Sequence, residues 1–222
     1  SGCLITVQAP DLVGTDVRLG SSNATFGEAI GLDFTIQNQG NGPTTRATRD
    51  RIYLSANATL DAGDTLLATV DAALPSLAAG GQYSRTNFPV TLPLSASLGA
   101  GTYYLLIQTD CLGTQPESNE SNNVTASLTT VTIGYPPLPD LRVANIAVDE
   151  ASAGTLLSGG PMTIRWQTRN DGSATVTAAF RERIVVTNGA QTLLNQVGAY
   201  DATGPGAIAP AGFVSRSFAF TL

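Results

Sequence analysis

Two short stretches gather the hard oxygen donors of this chain. One holds Asn57, Thr59, Asp61 and Asp64; the other holds Asp110, Glu117, Asn119, Glu120, Asn122 and Asn123. Carboxylate and amide oxygens of this kind suit calcium, which takes about six to eight of them in a flexible geometry. Asn57, Asp61, Asp64, Glu117, Asn119 and Glu120 are therefore the candidate metal ligands. The spacing follows a calcium loop only loosely, because Ser55 or Asn57 stands where such a loop opens with aspartate. The same residue types also populate turns, where their side chains bond the local backbone. Glu117 to Asn123 equally fits the cap of a hairpin.

Paired carboxylates are also the apparatus of glycosidases. Here the acids lie in turn-rich segments, and no nucleophile motif or phosphate-binding glycine loop accompanies them. Histidine is absent, which removes the commonest general base and zinc ligand together. These observations predict a non-catalytic protein. A net charge of -6 argues against nucleic acid or an anionic membrane as partner, since both require a basic footprint. No run approaches the roughly 18 apolar residues of a spanning helix, which predicts a soluble, processed or excised piece without a membrane span.

The two thiols, Cys3 and Cys111, fit a disulfide if both fall at one pole of a β-sandwich, and that bond implies an oxidising compartment. Two buried small residues fit as well. A rival reading takes Ser1-Gly2-Cys3 as the end of a bacterial lipobox and Cys3 as a lipid anchor. Trp166 alternates with Met162 and Ile164 against Thr163, Arg165 and Gln167, which places it in a core rather than on a carbohydrate-stacking platform. Of Tyr103 and Tyr104, one is expected to point inward and the other outward. Four Asn-x-Ser/Thr sequons, at Asn23, Asn57, Asn119 and Asn123, read as turn residues.

The elements that carry these residues repeat. Pro10-Asp11-Leu12 returns as Pro139-Asp140-Leu141, and Gln37-Asn38-Gln39-Gly40 returns as Arg169-Asn170-Asp171-Gly172 after an apolar strand. Asp50-Arg51-Ile52 matches Glu182-Arg183-Ile184, and Tyr83-Ser84-Arg85 matches Val214-Ser215-Arg216. Arg51 and Leu92 lie 41 and 82 residues after Pro10; Arg183 and Leu222 lie 44 and 83 after Pro139. Four blocks in one order at nearly one spacing indicate two copies of a module. They are joined near Tyr135-Pro136-Pro137-Leu138-Pro139, a proline-rich stretch that favours an extended spacer.

Within the first copy, Ala29 to Gln37 alternates Ile30, Leu32, Phe34 and Ile36 with smaller or polar residues, the period of a half-buried strand. Leu12 to Leu19, Arg49 to Leu54, Thr65 to Val70, Gln82 to Leu92, Thr102 to Thr109 and Val124 to Ile133 supply the other strands, about seven in all, as an immunoglobulin-like sandwich requires. The second copy offers Leu141 to Val148, Met162 to Arg169, Arg181 to Thr187, Thr192 to Val197 and Gly212 to Leu222. It has no counterpart of residues 93–133. A sandwich lacking those strands exposes an unpaired edge and an apolar cleft. Either the chain is an excerpt of a longer one, or another polypeptide donates strands, with Leu4-Ile5-Thr6-Val7 as a candidate donor.

The first copy resembles the CARDB family, the cell-adhesion-related domain found in bacteria. The resemblance rests on Pro10-Asp11-Leu12, Gln37 to Gly40, Asp50 to Ser55, Leu60 to Asp64, Gly101 to Leu105 and Glu117 to Asn123, in family order across nearly all of residues 10–133. The second copy resembles it more weakly. Asn188-Gly189-Ala190-Gln191-Thr192 stands where the first has Leu60 to Asp64, so a site built on those acids is not duplicated. The resemblance implies an all-β chain of two tandem immunoglobulin-like β-sandwiches. Residues 1–9 form an extension or the tail of a preceding module, 10–134 a complete sandwich, 135–139 a linker, and 140–222 a divergent, truncated sandwich.

The function expected from this is a structural or adhesive module of a bacterial secreted or cell-surface protein, extracellular, meeting protein or glycan and neighbouring modules. A filament subunit completed by strand donation and an accessory domain of a secreted hydrolase are the alternatives.

Overall fold

The computed structural model describes residues 7–71, 76–149 and 159–221. The chain falls into two compact units, Ser1–Pro136 and Pro137–Leu222. Among the described residues it is all-β as expected, apart from one short 3-10 turn at Gly204–Gly206.

The first unit contains β1 (Leu12–Leu19), β2 (Asn23–Thr25), β3 (Ala29–Asn38), β4 (Arg49–Ser55), β5 (Thr65–Asp71), β6 (Gln82–Thr91), β7 (Gly101–Gln108), β8 (Val124–Ala126) and β9 (Val131–Gly134). One sheet has the order β1-β3-β6 and the other β2-β9-β7-β4-β5, with β8 also paired to β7. The immunoglobulin-like sandwich follows from period-two patterning. Leu32, Phe34 and Ile36 of β3 face Ile52 and Leu54 of β4 and Leu105 and Ile107 of β7 in one buried cluster. Each such side chain contributes about 1.5–3 kcal/mol over its exposed state.

Two elements depart from the sequence expectation. Val124 to Ile133 is not one strand; it breaks at Ser127, whose N–H donates to Leu105 O and whose hydroxyl donates to Thr129 O, before β9 moves to a different register on β7. Asn23-Ala24-Thr25 is a short strand running parallel to β9, a pairing its three polar or small residues do not announce.

The second unit contains β10 (Leu141–Asp149), β11 (Pro161–Asn170), β12 (Phe180–Asn188), β13 (Gln191–Tyr200) and β14 (Phe213–Thr221). These form a sheet β10-β11-β14 and a hairpin β12-β13. The hairpin turns at Gly189, whose φ of +57 suits a residue without a side chain. Its small core is Val176, Ala202 and Ile208, with Phe180, Tyr200 and Val214 packed against it.

A buried asparagine pins each unit at the same place. Asn38 Oδ1 accepts from the N–H of Asp11 and Gly40, while its Nδ2 donates to the carbonyls of Gly42, Leu77 and Ala78. Asn170 Oδ1 accepts from Asp140 and Gly172, and its Nδ2 donates to Ala174 and Ile208. Both residues are fully buried. The glycine two positions on is required in each case, since a Cβ on Gly40 would lie 2.3 Å from Ala9 O and one on Gly172 2.3 Å from Asp140 N. The first strands also share a bulge: the β1–β3 register shifts between Thr15 and Arg18, the β10–β11 register between Ala144 and Ala147, and Asp16 and Asn145 within them both have φ 52.

Candidate functional site

The six candidate calcium ligands do not converge. Asn57, Asp61 and Asp64 lie in the connection after β4, beyond the pair Ser55–Tyr104; Glu117, Asn119 and Glu120 lie in the connection after β7, beyond the opposite pair Arg51–Gln108. The two groups therefore sit at opposite ends of the β4–β7 ladder. Within the first, Asn57 Oδ1 accepts from Thr59 N–H at 2.7 Å, Asp61 Oδ1 from Gly63 N–H at 2.7 Å and Asp64 Oδ2 from Asp61 N–H at 2.8 Å. Within the second, Glu120 accepts from Glu117 N–H at 2.8 Å and Asn119 from Ser121 N–H at 3.1 Å.

Glu117 reaches furthest, accepting from Leu12 N–H and, at 2.9 Å, from Asn123 Nδ2, so that it ties the β7–β8 connection to the start of β1. Burial pushes its pKa up against these two hydrogen bonds. The donor oxygens thus serve local turns, as the residue types also permit. No cluster of three or more His, Cys, Asp or Glu side chains is placed to hold a metal among the described residues.

Cys3 lies outside the described residues, and with it the proposed Cys3–Cys111 bond and the lipid-anchor reading. Cys111 sits in the turn after β7, where its N–H donates to Arg49 O at 2.8 Å, and burial pushes its thiol pKa up. Tyr103 packs against the core and donates its hydroxyl to Gly99 O at 2.6 Å.

A second class of acid, not singled out in the sequence as a site, lies between the sheets. Asp50 on β4 is 1% exposed; it accepts from Tyr83 Oη across the sandwich and from Asp110 N–H at 3.3 Å. Burial outweighs those bonds and pushes its pKa up to about 6. The same burial, with the carboxylate beside it, raises the pKa of Tyr83.

The counterpart of Asp50 in the second unit is Glu182 on β12. Burial alone would raise Glu182, but Thr168 Oγ1, Trp166 Nε1 at 3.0 Å and Arg216 Nε at 3.0 Å all donate to it and hold its pKa below the ordinary value. Arg216 also lies over the Tyr200 ring, 5.0 Å from its centroid, and donates to Ala199 O at 3.1 Å. One signal for both acids was present: Asp50 shares parity with Ile52 and Leu54, and Glu182 with Ile184 and Val186, so each carboxylate lies on an apolar stripe.

Trp166 is buried as expected, with Met162. Beside it the second unit opens into a cleft of about 710 Å³, lined by Val143, Ile146, Met162, Trp166, Ile184 and Val186 among others. The cleft lies between β12 and the sheet β10-β11-β14. In the first unit the corresponding space is filled by β7 and β9, through Leu105, Ile107, Val131 and Ile133. Exposure measures the consequence. Leu12 is 2% and Val17 1% exposed on β1, whereas the matching Leu141 and Ile146 on β10 are 38% and 70% exposed. Whereas β4 pairs with β5 on one side and β7 on the other, β12 pairs only with β13 among the described residues.

The family model CARDB matches residues 9–127. No curated protein matches the chain. Among solved structures, the chain is similar to the CARDB domain of a Pyrococcus furiosus protein crystallised in complex with di-metal ions, at 20% identity and TM-score 0.42, over 60% of this chain and 100% of that one. A solution structure of the same domain matches at 22% identity and TM-score 0.40, over 57% of this chain and 97% of that one. A β-glucosidase from Listeria innocua in complex with glucose matches at 17% identity and TM-score 0.34, over 58% of this chain but 16% of that one.

Proposed function

The chain belongs to the CARDB family of cell-adhesion-related modules, and from that premise we propose that it is a structural or adhesive part of a bacterial secreted or cell-surface protein, built from two tandem copies of that module. Residues 10–134 are the complete copy and residues 140–222 the divergent one. Its partners are protein or glycan at a cell surface and neighbouring modules, and its place is extracellular.

What supports this reading most is the recurrence of one buried clamp. Asn38 and Asn170 receive the same pair of backbone N–H groups, two residues before glycines pressed against the same preceding segment. Repeated modules that keep such a joint between entry strand and turn are suited to extension and display. The buried carboxylates Asp50 and Glu182 are bound to side chains of the opposite sheet and serve to hold sheets together rather than to face a substrate.

Antibodies raised against the 222-residue chain test the location on cells that produce the protein. Labelling of intact cells or recovery in the medium is expected. Labelling that appears only after the cells are broken overturns the proposal.

A further inference from the structure

The four sequons, at Asn23, Asn57, Asn119 and Asn123, are held in unequal ways. A sugar joined to asparagine is joined through Nδ2, so an acceptor needs that nitrogen exposed and free, with the hydroxyl of the sequon beside the carboxamide. Three of the four fall short. Asn123 is half-buried and donates Nδ2 to Glu117 Oε1 at 2.9 Å, while the hydroxyl of its Thr125 donates to Gly14 O. Asn23 is tied into β2, in register with β9, and donates Nδ2 to Ser22 Oγ at 3.2 Å. Asn57 is exposed, but its Nδ2 donates to Asp61 Oδ2 at 3.3 Å, and its Oδ1 accepts the backbone N–H of Thr59 rather than the hydroxyl.

Asn119 meets each requirement. Its Oδ1 accepts from the N–H of Ser121 at 3.1 Å and from the Ser121 hydroxyl at 2.6 Å. A backbone N–H only donates, which fixes the bonded atom of the carboxamide as oxygen. Nδ2 is therefore the free atom, and it has no acceptor among the described residues. Residues 118–121 are exposed in succession, so the nitrogen stands at a loop tip with room around it. The base of that tip is fixed to the entry strand, where Ser118 N–H donates to Pro10 O, Asn122 Nδ2 to Asp11 Oδ1, and Leu12 N–H to Glu117.

We propose that Asn119 is the acceptor for an N-linked oligosaccharide, delivered from a polyprenyl pyrophosphate donor by an oligosaccharyltransferase. Nδ2 bonds to the anomeric carbon of the sugar as the bond from that carbon to the pyrophosphate oxygen breaks. The lipid pyrophosphate leaves with the electron pair, and one amide proton passes to a base. A glycan here covers residues 118–121, an exposed loop tip of the kind that proteases nick. The inference rests on the extracellular reading, because such a transferase serves exported chains.

The test incubates the folded 222-residue chain with a bacterial oligosaccharyltransferase and a lipid pyrophosphate-linked oligosaccharide, and maps glycopeptides by mass spectrometry. Asn119 should be modified at least about threefold more than Asn57, which must give up an exposed hydrogen bond. It should exceed Asn23 and Asn123 at least about tenfold, since those sites must open first. Asn119→Gln and Ser121→Ala should each abolish this transfer, and Ser121→Thr should keep it. Protein recovered from the cells that produce it should carry sugar mass on the same peptide. No transfer to Asn119, or transfer to Asn57 at or above its level, overturns the proposal. A bare Asn119 on protein labelled at the surface of intact cells removes the site and keeps the location; transfer to Asn119 in the purified system, with protein found only inside cells, removes the location and keeps the acceptor.

Discussion

The two units hold the same local joints and differ in what stands between their sheets. The bulge at Asp16 recurs at Asn145, and the clamp of Asn38 recurs at Asn170. Yet among the described residues the first unit closes over one large cluster running from Leu12 to Ile133, while the second has a small cluster at Val176, Ala202 and Ile208, with Met162 and Trp166 buried apart from it, and leaves β10 facing solvent. Joints made of main chain and one amide side chain are complete between Asp11 and Ala78 in the first unit and between Asp140 and Ile208 in the second. A closed core needs β7 and β9, which arrive much later. Local geometry and global burial are therefore separable, and each can be broken by itself.

The largest effect is expected at the clamp. Asn38→Ala strands the N–H groups of Asp11 and Gly40 and the carbonyl of Gly42, takes a second donor from the carbonyls of Leu77 and Ala78, and should destabilise the first unit by about 3 kcal/mol in denaturant unfolding. Asn170→Ala removes the matching bonds, but β10 has little buried surface behind it, so its effect should appear as faster amide exchange in Leu141 to Val143 more than as a lower midpoint. Equal losses of global stability in both variants would show that the second unit is as tightly closed as the first.

Core truncation sharpens the same contrast. Ile107 is fully buried, and Ile107→Ala should cost about 2–4 kcal/mol. Ile146 is 70% exposed, and Ile146→Ala should change stability by less than about 0.5 kcal/mol. Trp166, the only tryptophan, reports the second unit by fluorescence, so the two losses can be measured separately in one chain. A cost above about 1 kcal/mol for Ile146→Ala would mean that β10 is covered in solution.

The fold was more legible in the sequence than the site, for physical reasons. Alternation of Ile30, Leu32, Phe34 and Ile36 announced β3 because a buried face leaves a period. Carried one step further, the same parity puts Asn38 on the inner face, and in the second unit it carries Met162, Ile164 and Trp166 on to Thr168 and Asn170. Asn38 also opens the turn-forming run Asn38 to Pro43, and its residue type alone does not tell a turn former from the turn's buried anchor. The short strand Asn23 to Thr25 left no period because its pairing with β9 is parallel and made of only three residues. The oxygen-rich loops left two readings open because calcium ligands and turn formers are the same residue types. The β4–β7 register, which sends the two loops to opposite ends, shows that they do not form one site.

The carboxylates between the sheets extend the comparison to pH. Asp50 has a folded pKa of about 6, above its ordinary 3.8, so its contribution to stability is full below about 3.8 and is lost as pH rises through about 6. The first unit should therefore weaken between those values, by on the order of 2–3 kcal/mol for a shift of that size at about 1.4 kcal/mol per unit. Asp50→Asn keeps an acceptor for Tyr83 and should flatten that slope. Unfolding midpoints followed by far-ultraviolet circular dichroism from acid to neutral pH measure it, and an unchanged slope in the variant would assign the dependence to another group.

Glu182 should respond with the opposite sign and a smaller size. Its folded pKa lies below its ordinary value, so its contribution is present above that ordinary value and is lost as pH falls through the folded one. Arg216 is 23% exposed and Glu182 10%, at the edge of an open cleft, where water screens the pair more than it screens Asp50. Glu182→Gln leaves an acceptor for Trp166 and Thr168 but removes the charge facing Arg216. The loss at neutral pH should be under about 1 kcal/mol and should fade on acidification, read through Trp166 fluorescence. A loss from Glu182→Gln that grows on acidification would assign the effect to a group other than the Glu182–Arg216 pair.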